Sequence, residues 1–296
     1  MPALSTAWNI KRLPMAQALD EIEGLGFSRV ELSRGIREEM LPEIRRRVVS
    51  GRVRITSVHC FCPKPPPGTC LLTALDPGER EEAVRRTKVT IDIAAELGAL
   101  AVVVHLGAIT ALDPAWRERL RDAYLELGPG DARYQELVGV FRKERAAGLR
   151  PHLTPSLASL GEVCAHAAAK GVTVALETRV YPDELPGLDE FAPYFEEFPD
   201  APLGYWHDIG HAYYESKLLG HDAGEYLRRY GAKLAGCHLH DIIGLDDHRA
   251  PGQGEIDYTE LLPYLGKRVL RVLEVTQADA AALRKGVELL RRLGVA

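Results

Sequence analysis

The 296-residue sequence predicts an α/β fold, a single (β/α)8 TIM-barrel domain spanning residues 1–296. Three observations carry the prediction. Strand-like and helix-like segments alternate from end to end, as a parallel sheet with crossover helices requires. Seven apolar runs each end in a residue that can bind a metal or move a proton. The length suits one α/β barrel folding as a unit. In that fold the carboxyl ends of all strands open onto one face, and that face holds the active site.

The seven runs are Arg29–Glu31, Ile55–His59, Ala101–His105, Val172–Glu177, Leu203–Asp208, Leu234–His238 and Val269–Glu274. A first strand near Ala3–Trp8 precedes a helix around Met15–Leu25, stopped by Gly26. The strand Phe27–Leu32 leads to a helix near Arg37–Val49, which Gly51 breaks. A Pro- and Gly-rich loop, Pro63–Pro77, follows His59. The next helix, Glu79–Leu97, places Val84, Ile91, Ala94 and Ala95 on one face at helical spacing. After His105 the pattern departs from a minimal barrel. Residues 106–152 read as an extended insertion between the fourth strand and its helix, expected on the catalytic face as a lid or an oligomer contact. It contains two amphipathic patterns, Pro114–Leu127 and Asp131–Ala147. A helix is then expected over Thr154–Lys170, capped by Thr154 with Pro155 at its first position. The last helix, Ala280–Leu293, is expected to bury Leu283, Val287 and Leu290.

Composition narrows the function classes. A net charge of −5 offers no global attraction to nucleic acid or an anionic membrane. Arg45-Arg46-Arg47 and Arg85-Arg86 read as solvated helix faces rather than binding stripes. No apolar run approaches the roughly 18 residues that span a bilayer. Met1–Thr6 carries no basic segment or cleavage site, so a cytoplasmic protein is expected. Five cysteines without a leader read as free thiols; a redox pair of Cys60 or Cys62 with Cys70 is a minor alternative. No P-loop, nucleophile elbow or Rossmann fingerprint is present, which argues against a nucleotide cofactor.

Two glutamates, an aspartate and a histidine at strand ends make an oxygen-and-nitrogen ligand set: Glu177, Asp208, His238 and Glu274. Such a set suits Mn²⁺, Co²⁺, Mg²⁺ or Zn²⁺ and needs no thiolate. Charges at the ends of buried strands are costly unless paired, hydrogen-bonded or metal-bound. The bland reading, a satisfied strand-end residue, fits any one of them better than it fits all of them together. Glu31 at the mouth and Trp206 as an apolar wall are candidate substrate contacts, and His240 and Asp241 candidate orienting groups for His238. His152, His166 and His221 read as surface or helix residues.

Several motifs resemble one family. Ala175-Leu176-Glu177-Thr178 looks like its first ligand segment, and Trp206-His207-Asp208-Ile209-Gly210-His211 is similar to its W-H-D-x-G-H signature. His238-Leu239-His240-Asp241 resembles its histidine-rich element, and Asp246 to Asp257 its D-D-H-x-x-P-G-x-G-x-I-D loop. Glu274 in Leu273-Glu274-Val275 matches the final ligand. On these motifs the chain resembles the xylose-isomerase-like TIM barrels, which include sugar phosphate isomerases and epimerases and are related to the AP endonucleases. The resemblance covers nearly the whole chain and is weakest over Leu106–His152.

The resemblance implies a divalent-metal-dependent isomerase or epimerase of a carbohydrate, with one ion held by Glu177, Asp208, His238 and Glu274. Glu177 and Glu274 would double as acid and base, moving a proton through a metal-stabilised enediolate. His211 would bind a substrate hydroxyl. The related three-zinc endonucleases imply an alternative in which His59, His105, Asp246 and His248 hold further ions or touch substrate; an inosose-type dehydratase is another. A small carbohydrate is the expected partner, with no membrane, no nucleic acid, and self-association into a homo-oligomer common among such barrels.

Overall fold

Short runs of β-branched and small residues supply the wall of the barrel. In the computed structural model, which describes residues 1–65 and 71–296, the strands are β1 (Ala3–Ser5), β2 (Arg29–Leu32), β3 (Arg54–His59), β4 (Ala101–Val104), β5 (Thr173–Glu177), β6 (Leu203–Asp208), β7 (Leu234–Leu239) and β8 (Leu270–Leu273). They close in the order β1-β8-β7-β6-β5-β4-β3-β2, every neighbour parallel. The helices are α1 (Met15–Gly24), α2 (Leu41–Val49), α3 (Pro77–Glu96), α4 (Trp116–Leu127), α5 (Ala132–Lys170), α6 (Phe191–Glu197), α7 (Ile209–Leu219), α8 (Glu225–Tyr230) and α9 (Ala280–Arg292).

The interior of the barrel is a layer of small side chains built around one large one. Ala3, Ala101, Val103, Ala175 and Val272 pack against Trp206, all buried. A Cβ on Gly236 would come within 2.2 Å of the Trp206 ring, so the neighbouring strand must carry glycine there. The larger cluster lies between strands and helices, and includes Leu283, Val287 and Leu290 of α9.

Sequence expectation and structure part at several elements. The first strand stops at Ser5, where Thr6–Trp8 turns into a 3-10 helix with the Ser5 side chain accepting from the Ala7 N–H. No new helix starts at Thr154. One 39-residue helix, α5, runs through Pro151 and Pro155, capped by Asp131 at its start and by left-handed Gly171 at its end. Each internal proline removes a helical N–H and costs about 3 kcal/mol. Tertiary burial of Phe141, His152, Leu160 and Val163 on this helix offsets that loss. Residues 106–152 therefore do not end in a break; they hold a short strand at Gly107–Ala108, the whole of α4 and the first half of α5.

His152, expected on the surface or in a helix, lies in α5 and is fully buried, its Nδ1 2.7 Å from the Thr73 carbonyl. Arg47, expected on a solvated face, is also buried and pairs with Asp20, Glu23 and Glu43. Cys62, Cys164 and Cys237 are buried free thiols, while Cys70 lies outside the described residues. No helix among the described residues is long and apolar enough to cross a membrane.

Candidate metal centre and active site

Barrel closure puts four strand ends side by side. Glu177 is the last residue of β5 and Asp208 the last of β6; His238 lies in β7 in register with Asp208, and Glu274 follows β8 by one residue. The ligating atoms of these four residues all lie within 4.8 Å of one another. Their focus is a single nitrogen. His238 Nδ1 is 2.7 Å from Glu177 Oε1, 3.1 Å from Glu274 Oε2 and 3.3 Å from Asp208 Oδ2.

Surrounding groups hold this arrangement in place. On the far side of the imidazole, Glu31 Oε1 sits 3.1 Å from His238 Nε2 and Glu31 Oε2 accepts from Ser57 Oγ at 2.8 Å. Glu31 is fully buried, so it positions His238 from behind and does not reach the mouth as a substrate contact. Trp206 is likewise fully buried, edge-on to His238 with ring centroids 5.1 Å apart; it is the floor of the centre, not a wall open to substrate. His240 orients Asp208 and not His238. Its Nδ1 accepts the His248 backbone N–H at 3.0 Å, so Nε2–H donates to Asp208 Oδ1 at 2.8 Å. Gly210 makes this possible, since a Cβ there would lie 2.1 Å from the His240 ring. Asp208 Oδ1 also accepts the His211 N–H at 2.8 Å, capping α7. Asp241 organises the following loop instead, accepting backbone N–H groups of Gly252 and Ile256 at 2.8 and 3.2 Å.

The electrostatics follow from packing carboxylates and imidazoles together out of water. Burial pushes the Glu177 carboxyl up, but His105 and His238 outweigh it and hold the group well below the usual carboxylate range. Asp208 is held well below its ordinary value in the same way by His211 and His240, against burial, and Glu274 is lowered by His238 and His248. Burial pushes His238 down, yet Glu274, Glu31 and Glu177 together shift it well above the ordinary value for histidine. Three carboxylates converging on one imidazole mark where positive charge is needed. Asp208 Oδ2 is buried with no hydrogen-bond partner. An orphaned carboxylate oxygen beside converging carboxylates and an imidazole fits a divalent cation in chemistry as well as in count.

Two further groups of side chains flank the four. His59 Nε2 lies 3.3 Å from Glu177 Oε2, and His105 Nε2 is in contact with the same oxygen. Arg179, two residues past the end of β5, also donates to Glu177 Oε2 at 3.2 Å and is clamped by both oxygens of Glu184 at 3.1 Å. On the other flank His211, His240 and His248 gather. His211 Nδ1–H donates to the Thr178 carbonyl at 3.0 Å, leaving Nε2 as an acceptor. His248, with φ of 58°, stacks on His240, and Asp247 lies 2.8 Å from its Nδ1. Burial opposes protonation of His248, but Asp247 and Glu274 push it up to about 9. Asp246, expected beside His248, turns away to pair with Arg249 and to accept from Gln277 Nε2 at 2.8 Å. Asp247 takes its place. A cavity of about 470 Å³ opens beside His105, lined among others by Arg34, Phe61, Ile109, Leu112 and Arg117.

Arg179, Arg34 and Asp247 carried no sequence expectation. Arg179 and Arg34 fall in loops past their strand ends, where no apolar run marks them, and Asp247 is indistinguishable in sequence from its neighbour Asp246.

This barrel and this cluster define a class. The chain belongs to the xylose isomerase-like TIM-barrel family, whose profile matches residues 19–293. Among solved structures it is similar to the 3-keto-D-glucoside 4-epimerase YcjR of E. coli in its apo form, at 15% identity and a TM-score of 0.66, covering 98% of each chain. It is also similar to D-psicose 3-epimerase of Clostridium cellulolyticum with D-tagatose, at 14% identity and a TM-score of 0.67, covering 98% of each. A third, the TTHB071 protein of Thermus thermophilus soaked with ZnCl2, is 22% identical with a TM-score of 0.60, covering 98% of this chain and 96% of that one. The uncharacterized protein y4fM of Sinorhizobium fredii is 26% identical over 181 residues, 61% of this chain, and the match spans about half of that protein (47%).

Proposed function

We propose that the chain is a divalent-metal-dependent isomerase or epimerase of a ketose, cyclic polyol ketone or similar carbohydrate. The observation that carries this reading is the convergence of Glu177, Asp208 and Glu274 on one buried imidazole nitrogen of His238. These four residues would hold the ion, and a bound divalent ion supplies Lewis-acid stabilisation of negative charge on adjacent substrate oxygens. The rest falls to the chain. Glu274, 13% exposed and with both of its ion pairs made through Oε2, presents Oε1 to exchange a proton with a substrate carbon next to a carbonyl. Glu177 supplies the second carboxylate of the acid–base pair. His211 Nε2 accepts from a substrate hydroxyl, and the cavity beside His105 takes the remainder of the molecule.

The experiment is solvent exchange. Manganese-loaded protein incubated in heavy water with a panel of ketoses and inososes should place deuterium at the carbon next to the carbonyl, read by mass spectrometry. No uptake across the panel contradicts the reading. The two flanking histidine groups favour a second reading, an AP-endonuclease-like hydrolase with three zinc ions; nicking of DNA at abasic sites by the zinc-loaded chain would establish it. Loss of water from an inosose in the same panel would assign a dehydratase.

A further inference from the structure

The two flanking groups, His59-His105-Glu177 and His211-His240-His248, contain enough ligating residue types to hold a cation each. Their hydrogen bonds say otherwise. Since Glu177 Oε1 faces His238 and the central site, a second ion in the first group would have to take Oε2. That oxygen is already bonded by Arg179 Nη1 at 3.2 Å. Arg179 is only 5% exposed and cannot swing away while both Glu184 oxygens grip its Nη2 at 3.1 Å. Glu184 is itself fixed, in a short strand Glu184–Leu185 that pairs antiparallel with Gly107–Ala108.

A histidine tautomer closes the second group. In the second group His240 accepts at Nδ1 from the His248 N–H and donates from Nε2 to Asp208, which leaves it no lone pair for a metal. Asp246, whose carboxylate would be the natural replacement, faces Arg249 and Gln277.

We propose that Arg179 is a built-in counter-cation for Glu177 that takes the charge role of a second metal, so the chain holds one divalent ion at Glu177, Asp208, His238 and Glu274. This role rests on the ion centre proposed above and not on the carbohydrate chemistry. Nothing about Arg179 requires it to touch substrate; it is a positioning residue that fixes how many cations the barrel mouth accepts.

Counting ions tests this directly. Full-length protein is loaded with excess ZnCl2, desalted, and its zinc per chain measured by plasma mass spectrometry, with Co²⁺ absorption spectra as a second readout. Wild type should retain one zinc and Arg179→Met two, with a second set of cobalt d–d bands. Arg179→Lys, which keeps the charge, should retain one. Two or three zinc ions on wild type overturn the role of Arg179, as does a folded Arg179→Met that stays at one. If Arg179→Met does not fold, the wild-type and Arg179→Lys counts decide. Wild type retaining none overturns the ion centre itself, whatever the exchange experiment shows; failed exchange with one zinc retained removes the carbohydrate reading alone.

Discussion

Glu177 and Glu274 reach the same histidine from different strands, yet they live in unlike surroundings. Glu177 is fully buried and has both oxygens engaged, Oε1 by His238 and Oε2 by His59, His105 and Arg179. Glu274 is partly exposed and makes both of its ion pairs, to His238 and His248, through Oε2. One side of the centre is saturated with donors and rigid; the other is open toward the mouth. Both would hold the ion and both would exchange a proton in the proposed reaction, but Glu274 keeps Oε1 outside its ion pairs while both oxygens of Glu177 are engaged. The lesson is that the same residue type at matching strand ends can meet very different numbers of partners.

Substitutions at the two glutamates break or sharpen that contrast, and the saturated side should suffer most. Glu177→Gln removes the charge that balances His238 and Arg179, so the chain should lose its ion, with exchange activity down by at least about 10³-fold. Glu274→Gln should lower kcat by about 10²–10⁴-fold while the ion stays bound, as read by metal analysis beside the heavy-water assay. A Glu274 variant that sheds its ion while the Glu177 variant keeps it would reverse the assignment. His240→Ala acts through Asp208 and should weaken the ion by about 10–100-fold in a competition titration. Gly210→Ala has the smallest effect. Its Cβ would press on the His240 ring, costing about 1–3 kcal/mol in denaturant unfolding.

Much of this was legible in the chain because a barrel strand is short and its end is functional. An apolar run closed by Glu, His or Asp announces both the wall and the site, and the four central residues are found where those runs end. What the sequence hid depends on side-chain direction. Glu31 closes its run like the others, but it faces inward beneath His238 and never reaches the mouth. Asp246 and Asp247 are successive residues of a short strand, Asp246–Arg249, so their side chains face opposite ways, one to Arg249 and Gln277 and the other to His248. Thr154-Pro155 is a good helix start by local chemistry, and only the buried flank of α5 shows why the helix runs on through it. Arg179 is invisible to any periodicity, since its meaning lies in reaching back to Glu177 and out to Glu184.

The proposed chemistry depends on one cation shared by four strand ends. Anomalous diffraction from crystals grown with Mn²⁺ tests it most directly. A single peak enclosed by Glu177, Asp208, His238 and Glu274 is the predicted result. An empty density there, or manganese bound only at other side chains, would contradict it.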